Sequence, residues 1–163
     1  MGEGLSYIEF DAHEALSALT GLRKDLAVEV ANNVVVRIAK NVFRKAFDNL
    51  SGPRIPKKQW RKSPLAGSYP VPVRTGHLRC ALYMILPGSA ALSSMSGKFT
   101  VGLVEAYVGD SAKYAAEIEN PAAYGRRGNK RPYLTDPARE YLGLAPRIAE
   151  EELNQVVKKH GLE

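Results

Sequence analysis

Cysteine occurs once in the 163 residues, at Cys80, which excludes an intrachain disulfide and any cysteine-based metal cluster. A lone cysteine of this kind reads as a small buried apolar residue and fits a reducing compartment. Histidine is nearly as scarce. His13, His77 and His160 lie far apart and show no metal-ligand spacing. No apolar run reaches the roughly 20 residues of a membrane span. Met1-Gly2-Glu3-Gly4 lacks the charged start and apolar core of a signal peptide. The expectation is a soluble product of the cytoplasm, with no membrane partner.

Signatures of chemistry are missing too. No serine sits in a nucleophile-elbow glycine pattern. Gly97-Lys98 is followed by Phe99, and position 92 is leucine, so the phosphate-loop pattern fails. Glu117 and Glu119 would share a face of a strand, where such neighbours are ordinarily solvated rather than an acid/base pair. Gly125-Arg126-Arg127-Gly128 has the glycine spacing of the backbone-clamping loop of KH modules, but Pro121 and Pro132 crowd the two helices that loop would need. No enzyme, metal, cofactor or small-molecule substrate is expected.

Acidic residues are absent from Asn49 through Val104, while that span carries Arg54, Lys57, Lys58, Arg61, Lys62, Arg74, Arg79 and Lys98. A second basic cluster is Arg126, Arg127, Lys130 and Arg131, against acids gathered at Glu150-Glu151-Glu152. The net charge of +6 is therefore unevenly spread. This asymmetry implies an acidic partner, either nucleic acid or a negative protein surface.

The hydrophobic fraction of 45% is that of a globular protein, and the length suits one domain over residues 1–163. Leu5 to Phe10 alternates as a strand does. Asp11 with Glu14 offers a helix cap. From there to about Leu50 a stripe of Leu16, Leu19, Leu22, Leu26, Val30, Val34, Ile38 and Val42 predicts one long helix, with Asn32-Asn33 as the expected break. Residues 51–72 hold Pro53, Pro56, Pro64, Pro70 and Pro72, which predicts an exposed extended loop. Strands are expected at Leu78–Leu86 and Phe99–Val108, joined by a turn-rich connector from Pro87 to Gly97. Asp136-Pro137 should start a terminal helix, with Pro146 kinking or dividing it. The fold class is α+β: a small, mostly antiparallel sheet, one long N-terminal helix packed across it, and a C-terminal helix.

Three ordered segments add a resemblance. They are Arg74-Thr75-Gly76-His77-Leu78-Arg79, then Tyr114-Ala115 with Glu117 and Glu119, then Arg131-Pro132-Tyr133-Leu134 with Pro137-Ala138. In this order they resemble the tail-completion and head–tail joining (neck) proteins of long-tailed bacteriophages, the group that includes lambda-type minor tail proteins. The likeness covers about two thirds of the chain. It implies a structural, non-enzymatic role in a homo-oligomeric ring of the virion, at the junction of capsid and tail. Its partners would be other neck and tail proteins (terminator, connector or adaptor), with possible contact to packaged DNA. It also implies that Thr75, Gly76, Leu78, Tyr114, Ala115, Glu117, Pro132, Tyr133 and Leu134 determine the fold. The candidate partner-, subunit- or DNA-facing residues are Arg54, Lys57, Lys58, Trp60, Arg61, Lys62, Arg126, Arg127, Lys130 and Arg131. The competing reading is a nucleic-acid-binding protein that uses the two basic loops, with Trp60 stacking on a base.

Overall fold

The computed structural model describes residues 6–11, 24–54, 76–88, 90–93, 97–100, 104–120 and 132–161. Among the described residues ten elements follow one another. They are β1 (Ser6–Asp11), α1 (Lys24–Asn49), α2 (His77–Cys80), β2 (Leu82–Ile85), β3 (Ala90–Ser93), β4 (Gly97–Thr100), β5 (Glu105–Asp110), α3 (Ala115–Glu119), α4 (Thr135–Gly143) and α5 (Ala145–Lys159). The class is α+β, with the long N-terminal helix packed against the sheet and a C-terminal helix closing the chain. One sheet has three strands in the order β1-β5-β2; the other is the β3–β4 pair. That pair is antiparallel, with Ala90 opposite Thr100 and Ser93 opposite Gly97. Among the described residues no helix is long and apolar enough to cross a membrane.

The apolar stripe builds α1. Leu26, Val30, Val34, Ile38 and Val42 are buried, and Ala31, Val35, Ala39 and Ala46 widen the buried band to one side. Burying each large side chain contributes roughly 1.5–3 kcal/mol, enough to hold a helix that propensity alone leaves marginal. The break expected at Asn32-Asn33 does not occur: the helix runs unbroken from Lys24 to Asn49. Buried neighbours on both sides of the asparagines carry it through, at a propensity cost of only tenths of a kcal/mol. At about 1.5 Å per residue its 26 residues span about 39 Å. The expected helical start between residues 12 and 23 lies outside the described residues, as does Glu14 of the expected cap. Asp11 itself ends β1.

The far end of α1 is closed locally. The Leu50 N–H reaches the Ala46 and Phe47 carbonyls at 3.0 and 3.1 Å, and Ser51 Oγ donates to Phe47 O at 2.6 Å. Gly52-Pro53 follows and cannot extend the ladder.

Two expected strands and the connector between them come out differently. Leu78–Leu86 is not one strand: His77–Cys80 form a helical turn, and β2 begins at Leu82. Gly76, in the left-handed region at φ 76°, starts that turn, and Cys80 N–H closes it on Gly76 O at 3.0 Å. The connector after Pro87 contains β3, whose small residues carry little strand signal and are held by pairing with β4. The strand expected over Phe99–Val108 divides into β4 and β5, with a turn at Val104. Cys80, expected to be buried, is exposed on the outer side of the α2 turn.

The chain falls into two compact units. The first comprises residues 1–8, 41–83 and 108–139, and contains the end of α1, α2 and α3. The second comprises residues 9–40, 84–107 and 140–163, and contains most of α1, the β3–β4 pair and α5. In the second unit Arg37 on α1 meets Glu151 at 2.6 Å and Glu152 at 3.0 Å on α5. Glu29 accepts from Lys159 at 2.6 Å and lies 3.0 Å from His160 Nε2. Ile148 and Val156 supply the apolar contact, and Pro146 sits in the first turn of α5, just after α4 ends at Gly143.

Candidate functional site: a buried carboxylate clasp

A buried polar arrangement lies in the first unit, around two acids. Asp110 ends β5 and is 1% exposed; Glu119 ends α3 and is 7% exposed. Burying a carboxylate is costly unless its oxygens find donors. Both oxygens of each do so. Asp110 Oδ1 accepts the Ala112 N–H at 2.8 Å, a tight local turn, and Oδ2 accepts the Tyr133 hydroxyl at 2.8 Å. Glu119 Oε1 accepts the Leu134 N–H at 2.6 Å, and Oε2 accepts the Thr135 hydroxyl at 2.8 Å. Glu119 therefore caps α4 from a distant segment. It satisfies an orphan N–H and places negative charge at the positive end of the helix. From α1, Asn49 Nδ2 donates to Tyr133 O at 3.3 Å. The segment from Pro132 to Thr135 is thus fastened to β5, α3 and α1 at once.

Burial raises the Asp110 and Glu119 carboxyls above the usual carboxylate range, and their hydrogen bonds oppose that rise. Burial likewise keeps the Tyr133 hydroxyl neutral, reinforced by the Asp110 charge beside it. Each carboxylate oxygen is thus engaged by a donor of the chain itself. The arrangement clasps the segment before α4 to β5 and α3. Among the described residues no three His, Cys, Asp or Glu side chains gather as a metal ion would need.

No family model, no curated protein and no solved structure matches this chain.

The expected site residues divide by location. Gly76, Leu78, Tyr114, Ala115, Glu117, Pro132, Tyr133 and Leu134 all fall in the first unit. Leu78, Ala115, Tyr133 and Leu134 are buried, whereas Tyr114 is exposed. Arg54 is exposed. Thr75, Lys57, Lys58, Trp60, Arg61, Lys62, Arg126, Arg127, Lys130 and Arg131 lie outside the described residues. The expectation of two solvated glutamates needs correction: both stand on a short helix, and Glu119 is buried as a cap. Sequence reasoning passed over Asp110 and Asn49. The available signal was an acid ending an apolar strand two residues before Ala112, a spacing that favours a side-chain turn onto the backbone.

Proposed function

We propose that this chain is a structural protein of virion assembly, a tail-completion or neck component at the head–tail junction of a long-tailed bacteriophage. The observation that carries the reading is the ordered set of three motifs. What supports it further is that the described parts of all three lie in one compact unit, the second and third joined there by the Glu119 bonds to Leu134 and Thr135. Such a set specifies a docking scaffold more than a reaction centre. The role requires a homo-oligomeric ring whose contacts repeat around an axis, and partners among the neighbouring neck and tail proteins. The basic clusters are the surfaces this reading assigns to subunits, partners or packaged DNA, and the protein acts without catalysis.

Complementation tests it. A phage lacking this gene should accumulate unjoined heads and tails, seen by electron microscopy, and the wild-type chain should restore joined particles. The variant with Arg126, Arg127, Lys130 and Arg131 all changed to Glu should keep its melting temperature yet fail to restore them. Individual surface pairs contribute only about 0–1 kcal/mol to folding, whereas assembly repeats each contact. Joined particles in the absence of the gene would refute the proposal. The acid-free span from Asn49 to Val104 favours nucleic-acid binding as the second reading. Strong, steeply salt-dependent affinity for DNA of any sequence would select it.

A further inference from the structure

Phe47 and Tyr114 are large hydrophobic residues exposed in the first unit, at 39% and 38%. The α2 turn links them. The Arg79 guanidinium lies over the Phe47 ring, 5.3 Å from its centroid. Arg79 shares the α2 turn with His77, whose ring is 6.0 Å from that of Tyr114 at an interplanar angle of 35°. Cys80 at the end of that turn is exposed, while Leu78 anchors the turn inside. Arg44 lies one turn before Phe47 on α1, and Lys113 immediately precedes Tyr114. Both are exposed, and neither is ion-paired with a described residue. Elsewhere Arg37, Arg139, Arg147 and Lys159 each meet a carboxylate.

We propose that this surface docks an acidic polypeptide segment bearing apolar side chains, supplied by a partner protein. Charge complementarity selects the occupant, since Arg44, Arg79 and Lys113 outnumber the exposed acid beside them, Asp48. Stacking on Phe47 holds the Arg79 fork in a fixed plane, ready for a bidentate carboxylate. Half-exposed aromatics beside an ordered arginine are the composition of an interface anchor. A nucleic-acid strand fits less well. More than half of each ring residue is already covered, so neither offers a full face to a base. The proposal is independent of the head–tail reading, which rests on other residues.

The test uses the isotope-labelled full chain and a short synthetic peptide alternating Glu with Leu and Phe, beside its Gln-for-Glu counterpart. The acidic peptide should shift the amide signals of residues 44–48, 77–80 and 113–114. Phe47→Ala or Arg79→Ala should each weaken its binding about tenfold, a loss on the scale of an interface anchor. Arg79→Lys keeps the charge, removes the fork and should weaken it too. Leu142→Ala should bind as wild type, and circular dichroism confirms that each variant is folded. Equal binding of the two peptides, shifts confined to other residues, or unchanged affinity in the Phe47 and Arg79 variants would overturn the proposal. So would tighter binding of oligothymidylate through the same residues. A surface whose substitutions change only self-association in sedimentation would overturn it as well.

Discussion

Tyr133→Phe isolates the clasp with the least disturbance. The ring and its burial are retained; only the hydroxyl that donates to Asp110 Oδ2 at 2.8 Å is lost. The Asp110 oxygen is then left in a site 1% exposed, where water does not replace the donor. A hydrogen bond to a charged group is worth about 1.5–3 kcal/mol, so a loss near 2 kcal/mol is expected. For a chain of this size that lowers the melting temperature by about 4–8 °C. With a urea slope near 2 kcal/mol/M it moves the unfolding midpoint down by about 1 M. The slope itself should not change, because the exposed area on unfolding is the same. Asp110→Asn with Tyr133→Phe completes a double-mutant cycle, and the double variant should cost less than the two single changes added. A midpoint shift below about 0.2 M, or strict additivity across the cycle, would falsify the claim that this bond fastens the segment before α4.

The pH profile should have two limbs. Asp110 and Glu119 hold their protons more tightly folded than unfolded, so their share of stability grows as pH falls into the window just above the usual carboxylate values. Glu29 and Glu151 are lowered, chiefly by hydrogen bonds from Lys159 and Arg37 respectively, so their share is lost as pH falls below about 4.5. The urea midpoint should therefore rise from neutral pH toward about 5 and fall below about 4, with the rise reduced in Asp110→Asn. Gly76→Ala meets no atom within 4 Å, yet φ 76° strains any side chain, so chemical denaturation should show a loss of about 1 kcal/mol. Asn32 Oδ1 is buried without a partner, so Asn32→Leu should match or exceed the wild-type melting temperature; a clear drop would show that the amide is bonded in solution.

The sequence by itself determined the elements that depend on neighbours a few residues apart. The spacing of Leu26, Val30, Val34, Ile38 and Val42 specified the buried side of α1, because helical periodicity is local. Asp136-Pro137 marked the first turn of α4, and Pro146 the division from α5, because a ring that fixes φ and removes an N–H acts wherever it stands. What only the tertiary structure decided is what long-range contact creates. The burial of Asp110 and Glu119 depends on Tyr133, Leu134 and Thr135, brought from 15 to 23 residues away, and nothing beside Glu119 in the chain separates it from the half-buried Glu117. The small residues of β3 are held as a strand because β4 supplies their hydrogen bonds. The run of α1 through Asn32 and Asn33 reflects the same cause: apolar side chains buried on either side outweigh a local preference worth tenths of a kcal/mol.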